Sequence, residues 1–205
     1  MPIEIEAGFR IPGATVKERL LGDITSAKIY ERKAYAMTAE YYDTPAQALG
    51  KIGTTLRRRV ENGEPFISVK AAAPNGGRML TRYYWECAES EISAALGTLV
   101  DMGAPRELLE LAGSEGFVTR GRYEYTRDSI LLRIDDETSA AVNFDEGVII
   151  SGNKRRDFSE VLFKLLFGGR AKLEEFVFAF EEKYGLTREL SGKYARALRL
   201  LRTRQ

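Results

Sequence analysis

Leu56-Arg57-Arg58-Arg59-Val60-Glu61-Asn62-Gly63-Glu64-Pro65-Phe66-Ile67-Ser68-Val69-Lys70 is the stretch whose reading decides the fold. Asn62-Gly63 lies between two runs of alternating polarity. Such a pair takes the tight turn of a two-stranded hairpin, because both central residues must tolerate positive φ. The pattern predicts strands over Thr54–Glu61 and Pro65–Ala72. Successive strand side chains point to opposite faces, so Arg57 and Arg59 share one face. On the second strand Ser68 and Lys70 oppose Ile67 and Val69. Arg58 points the other way, to the surface.

The same alternation repeats outward from the hairpin. Upstream, a first strand is predicted near Pro2–Arg10, with Glu4, Glu6, Gly8 and Arg10 opposite Ile3, Ile5, Ala7 and Phe9. A helix near Thr15–Leu21, a long extended stretch over Lys28–Asp43 and a short helix from Pro45 to about Gly53 complete that side. Downstream, Ala71–Gly77 reads as a loop. Arg78–Cys87 reads as a strand with Arg82, Tyr84 and Glu86 on one face. Helical spacing covers Glu91–Met102 and Arg106–Leu111. Four more strands are expected between Phe117 and Phe167, with Arg120 and Arg122 sharing a face and Glu160, Leu162 and Lys164 sharing another. Helices are expected over Lys172–Tyr184 and Ser191–Arg202.

Each strand thus pairs an apolar face with a charged one. An open antiparallel sheet with one face in water satisfies this pattern. So does a closed sheet whose helices cover the apolar outside and whose charged face lines the interior. Two details favour closure: the charged faces are sorted, rich in arginine with acids in the first and last strands, and several helices need apolar surface to pack on. A lining with roughly ten inward cations requires an anion, since buried like charges repel and lose their charge.

Composition narrows the chemistry. The chain has 205 residues, of which 44% are hydrophobic and 30% charged, which is the balance of an ordinary folded domain; one domain over 1–205 is expected. Thirty-one lysines and arginines against 30 acids give no global argument for nucleic acid or a membrane surface, and neither partner is expected. No apolar run is long enough for a membrane span, and the acidic, strand-like start is unlike a signal peptide. A single cysteine, Cys87, fits a reducing compartment, so a cytoplasmic location is expected. There is no histidine, which removes imidazole bases, histidine-activated nucleophiles and histidine metal sites. Tyr30, Tyr41 and Trp85 read as packing residues, and Cys87 falls on the apolar face.

Several motifs, in order, resemble one family. Ile3-Glu4-Ile5-Glu6-Ala7-Gly8 is similar to the ExExK signature of CYTH, or triphosphate tunnel, proteins, which include class IV adenylyl cyclases, thiamine triphosphatases and inorganic triphosphatases. Tyr42-Asp43-Thr44-Pro45, Leu49 and Leu56-Arg57-Arg58-Arg59 resemble its next block. Ile67-Ser68-Val69-Lys70, Arg82 with Glu86, Arg120 with Arg122, Asp145-Glu146-Gly147 read as a turn, and Ser191, Lys193 and Arg196 follow the family order to about residue 200. The resemblance implies an α+β fold: a closed antiparallel β-tunnel of about eight strands with helices outside.

It also implies roles. Arg57, Arg59, Lys70, Arg82, Arg120, Arg122 and Arg196 would bind phosphate, since arginine offers a bidentate fork and lysine a mobile charge. Glu4, Glu6, Glu86, Asp145 and Glu160 would hold Mg²⁺ or Mn²⁺, which suits carboxylate oxygens. Glu6, Glu160 and Lys193 would be catalytic. The implied ligand is a triphosphate, polyphosphate or nucleotide, and the implied activity a metal-dependent triphosphatase. Phosphoryl transfer without histidine is no obstacle. The alternative is a binding module impaired in catalysis, and a cyclase ranks lower because no adenine pocket is visible.

The chain departs from the pattern on the metal side. Gly8 replaces a lysine, Tyr84 and Leu162 replace acids, and Lys164 replaces an acid with the opposite charge. Lys164 is therefore read as a tethered cation on the phosphate site, needing Glu4, Glu6 or a bound phosphate as partner.

Overall fold

The computed structural model describes residues 3–25, 28–74 and 78–203. Strands β1 (Ile3–Arg10), β2 (Lys28–Asp43), β3 (Thr55–Glu61), β4 (Glu64–Ala72), β5 (Leu80–Cys87), β6 (Val118–Arg133), β7 (Ser139–Ser151) and β8 (Lys154–Phe167) form one antiparallel sheet. The order is β5-β4-β3-β2-β6-β7-β8-β1, and β1 pairs with β5 to close it. One strand closes both ends: β1 pairs with β5 through Ile3–Glu6 and with β8 through Glu6–Arg10. A two-residue strand, β9 (Thr187–Arg188), adds to the free end of β1. The fold is a closed eight-stranded antiparallel barrel with helices around it.

The deciding hairpin folds as its sequence requires. Asn62 and Gly63 both have positive φ, 50° and 98°, and β3 pairs with β4 in register from Thr55–Lys70 to Glu61–Glu64.

Apolar strand faces point outward, and helices cover them. Helices α1 (Ala14–Thr25) and α5 (Arg170–Tyr184) pack on β1, β7 and β8 through Leu20, Ile24, Leu173 and Val177 against Phe9, Val142, Phe144 and Phe163. Helices α3 (Ile92–Asp101) and α4 (Glu107–Ser114) cover β3, β4 and β5, burying Leu56, Ile67, Val69 and Trp85 under Leu96, Leu99 and Leu108. Burial of this kind stabilises by about 25 cal/mol per Å² of apolar surface. Cys87 is half-buried beside the second cluster, and burial raises its thiol pKa.

The last helix, α6 (Lys193–Arg202), behaves differently. Its Tyr194, Ala197 and Leu200 pack with Met37, Ala39, Tyr41, Tyr123, Tyr125 and Ile149, which lie on the inner faces of β2, β6 and β7. A Cβ at Gly121 would sit 2.5 Å from that of Ala197, so glycine is what lets α6 approach β6. The helix therefore lies against the tunnel's inner wall. The short α2 (Ala48–Lys51) is fixed by buried Asp43, whose carboxylate accepts hydrogen bonds from the backbone N–H of Thr44, Leu49 and Gly50 and from the Tyr194 hydroxyl.

Several sequence expectations are corrected. Three long strands, not four, fill Phe117–Phe167. The reading of Asp145-Glu146-Gly147 as a turn misled: Gly147 is mid-strand, and a Cβ there would stand 2.0 Å from the Glu124 carbonyl oxygen, so close backbone approach explains the glycine. Ala71 and Ala72 belong to β4, and Asn75–Gly77 lie outside the described residues, as does Pro2. Tyr30 is 54% exposed and is not a packing residue. No helix among the described residues is long and apolar enough to cross a membrane.

Candidate functional site in the tunnel

The inner faces enclose a cavity of about 790 Å³. Its lining includes twelve lysines and arginines, of which Lys51, Arg78 and Arg202 are exposed, and four glutamates. The charges fall into three groups.

The first group centres on Glu4, whose side chain is 4% exposed. Lys70 from β4 donates to Glu4 Oε2 at 2.5 Å, Lys164 from β8 lies 3.0 Å from Oε1, and Arg82 from β5 is 3.3 Å from Oε2. Arg82 also hydrogen-bonds Glu6. Strand register explains the meeting: Glu4 faces Arg82 across β1–β5, Lys70 faces Tyr84 across β4–β5, and Glu6 faces Lys164 across β1–β8. The ammonium groups of Lys70 and Lys164 stand 5.1 and 5.2 Å from the centre of the Tyr84 ring, within cation–π range. Burial alone would raise the Glu4 pKa, but Lys70, Lys164 and Arg82 together hold it well below the usual carboxylate range. Burial pushes Lys70 down to about 7; repulsion from Arg82 adds to this, and Glu4 only partly offsets it.

The second group, on β3, joins Arg57 and Arg59 to Glu86. Arg59 donates to Glu86 at 3.1 Å and pairs with Glu61 at 3.0 Å. Arg57 donates from Nε to Ser68 at 3.0 Å, and its ion pair with Glu86 is long, at 3.7 Å. Its side chain is only 11% exposed. The Tyr84 hydroxyl donates to Glu86, and burial raises the pKa of that phenol.

The third group is the most enclosed. Lys193 of α6 bridges Asp145 of β7, at 2.9 Å, and Glu160 of β8. Arg196, one turn along α6, donates to Glu160 at 2.5 Å. Arg127 of β6 forms a two-point bond to Asp145 at 2.7 and 2.8 Å. Burial opposes ionisation of both partners, yet Lys193 and Arg127 carry the Asp145 pKa below its ordinary value, and the two carboxylates carry that of Lys193 above. Three buried guanidinium Nε groups on the tunnel wall, those of Arg59, Arg82 and Arg196, have no hydrogen-bond partner in the structure.

No family model and no curated protein matches the sequence. Solved structures do match. A putative adenylyl cyclase from Hippeastrum, described as having a dominant triphosphatase activity, aligns over 92% of this chain and 91% of its own, with a TM-score of 0.55 and 19% identity. The triphosphatase of the mimivirus capping enzyme aligns over 88% and 89%, at a TM-score of 0.52 and 12% identity. A chain of the Schizosaccharomyces pombe Mediator head module aligns over 92% and 100%, at 0.52 and 11%. The chain has the CYTH, or triphosphate tunnel, fold. At these identities the likeness establishes the tunnel architecture, and the chemistry must be argued from the side chains.

Of the residues that the resemblance singled out, the tunnel brings together Glu4, Glu6, Arg57, Arg59, Lys70, Arg82, Glu160, Lys164, Lys193 and Arg196 along its lining, with Glu86 and Asp145 hydrogen-bonded to lining residues. Two fall elsewhere. Arg122 is on the outer wall, 44% exposed, 3.1 Å from Glu124 and 3.9 Å from Glu40. Arg120, beside an irregularity in β2–β6 pairing, donates to the Thr44 carbonyl and does not line the cavity. The inward residues of β6 are instead Tyr123, Tyr125 and Arg127. Arg127 belongs to no motif of the resemblance, although it continues the alternation begun by the two tyrosines. In the sequence Asp43 is only part of a motif, and its capping of α2 is visible only in three dimensions.

The sequence resemblance implies Mg²⁺ or Mn²⁺ on these carboxylates. A divalent ion of this kind asks for about six oxygen ligands. Among the described residues no three acids converge on one point. Each of the five expected ligands instead bonds a cation of the chain itself: Glu4, Glu6, Glu86, Asp145 and Glu160 are all engaged. The donor set does not fit a carboxylate-held divalent ion.

Proposed function

We propose that the tunnel binds a linear polyphosphate group, either tripolyphosphate or the triphosphate of a larger molecule. The excess of enclosed lysines and arginines over acids carries this reading: three cations to two acids around Glu4, and again around Glu160. Enclosed cations without counter-charge are costly, and a chain of phosphates supplies both the charge and the acceptors for guanidinium groups. In this reading Arg57 is a main contact, supported by its enclosure and its long ion pair. The unpartnered Nε groups of Arg59 and Arg82 support the same direction.

A second reading, hydrolysis of that ligand, is supported by the activity named for the Hippeastrum neighbour. Binding is the stronger reading because the carboxylates that would serve hydrolysis are already in ion pairs. The test is calorimetric titration with tripolyphosphate at low salt, beside an assay of phosphate release with Mg²⁺ and with Mn²⁺. Binding by the native chain is expected. Arg57→Ala should weaken it about tenfold or more, since a charge-assisted bond contributes about 1.5–3 kcal/mol. No heat and no thermal shift with tripolyphosphate at low salt would sink the reading. Release of phosphate on every turnover would promote the second.

A further inference from the structure

Two departures from the family pattern, Tyr84 and Lys164, lie far apart in sequence and meet in the tunnel. Lys164 and Lys70 both stand over the Tyr84 ring, and both reach Glu4. Arg82 reaches the same carboxylate and Glu6 beside it. A third departure is packed away: Gly8 faces Leu162 across β1–β8, and a Cβ at Gly8 would stand 2.9 Å from Leu162 Cδ2. That pair leaves apolar contact at a level where charge was expected. The charged level beside it therefore holds two carboxylates and three cations, with an aromatic face beneath the lysines.

We propose that this cluster makes polyanion binding independent of divalent metal: the ammonium groups of Lys164 and Lys70 are the counter-charge for the ligand. The inference rests on the tunnel-binding reading and specifies its cofactor requirement. Glu4 and the Tyr84 ring hold both lysine side chains in place before the ligand arrives, so that little side-chain ordering remains when phosphate enters. Lys164 is the more accessible of the two, at 32% exposure against 15% for Lys70, and can turn from Glu4 toward a phosphate oxygen. The acids near Lys193 offer no alternative metal seat, since its ammonium already bridges Asp145 and Glu160. A divalent ion would have to expel a lysine from either place.

The experiment is titration of the intact chain with sodium tripolyphosphate in EDTA and again in excess Mg²⁺, with Mn²⁺ binding to the ligand-free chain followed by electron paramagnetic resonance. Binding in EDTA is expected to be at least as tight as in Mg²⁺, because the metal also masks ligand charge. No stoichiometric Mn²⁺ should bind the free chain. Lys164→Gln should weaken the EDTA affinity about tenfold, and Lys164→Arg, which keeps the charge and guards against a folding artefact, should largely restore it. Binding that requires Mg²⁺ would overturn this proposal and leave the tunnel-binding reading standing. An unchanged Lys164→Gln affinity would also overturn it. Binding in neither medium would remove both.

Discussion

Glu4 and Glu160 are both inward carboxylates, 4% and 1% exposed, and each sits in a cluster of two acids and three cations. Around Glu160 the cations are Lys193, Arg196 and Arg127, exposed by 10%, 12% and 17%. Around Glu4 they are Lys70, Arg82 and Lys164, exposed by 15%, 20% and 32%. The charge ratio is the same and the accessibility is not. The Glu160 cluster ties α6 to β6, β7 and β8, with Arg127 held by a two-point bond to Asp145 and Lys193 bridging Asp145 and Glu160. The Glu4 cluster ties strands already joined by backbone hydrogen bonds, and one acid is shared among all three cations. The first locks the helix; the second is the face that the proposed binding would use. Residue type does not separate these roles; placement does.

The largest expected effect tests the lock. Asp145→Asn leaves Arg127 and Lys193 enclosed with one carboxylate fewer, and breaking a buried pair in this way costs about 3–5 kcal/mol. Urea unfolding should show that loss. Glu6→Gln, in the accessible cluster, should cost about 1 kcal/mol, the size of an ordinary hydrogen bond. Equal losses for the two variants would erase the distinction. The pH dependence has a definite sign. The folded pKa of Asp145 lies below its ordinary value of 3.8, so its stabilisation is complete above that value and is lost as pH falls through the folded pKa. Asp145→Asn should accordingly flatten the acid limb of the stability curve.

The next effect concerns Lys70 in the accessible cluster. Its folded pKa is about 7 against an ordinary 10.5, so between these values the folded chain lacks a proton that the unfolded chain carries. Stability from this group therefore rises with pH across that window. A bound polyanion favours the charged ammonium. Tripolyphosphate binding at pH 8 should thus take up a proton, seen as a calorimetric enthalpy that varies with the ionisation enthalpy of the buffer. The ligand's own protonation is corrected from its titration alone. Lys70→Met should abolish the remaining uptake, whereas a saturated Lys193 should contribute none. Uptake that persists in Lys70→Met would show that the two clusters do not differ in this respect.

Much of this arrangement was legible in the sequence. Alternation in β1, β3, β4, β5 and β8 placed Glu4, Arg57, Lys70, Arg82 and Lys164 on one face, because a regular strand keeps its period of two over its whole length. Of the three partners that the sequence reading allows Lys164, namely Glu4, Glu6 or a bound phosphate, the structure pairs it with Glu4. Two kinds of fact were not legible. Pairing between side chains on distant strands depends on register, which no local pattern prints: the saturation of every expected metal ligand arose this way. The position of α6 was also hidden, since its apolar stripe of Tyr194, Ala197 and Leu200 would suit an outer or an inner wall equally.

The smallest expected effect comes from the residue that sequence reading placed on the wrong wall. Alternation puts Arg120 and Arg122 on one face of β6, and the family resemblance reads that face as inward. The choice between the two faces rested on family order, not on polarity. The strand's own polarity points the other way: Tyr123 and Tyr125 are nearly or fully buried, and their parity is that of Arg127. Arg122 must then face out, where Glu40 and Glu124 meet it in water-exposed ion pairs. Exposed pairs of this kind contribute about 0–1 kcal/mol and are screened by salt. Arg122→Ala should therefore leave urea stability within about 0.5 kcal/mol. It should also leave tripolyphosphate affinity in EDTA unchanged, while Arg57→Ala measured in parallel loses about tenfold or more. An Arg122→Ala loss comparable to that of Arg57→Ala would mean that β6 turns the opposite face inward, and with it that Arg127 does not reach Asp145.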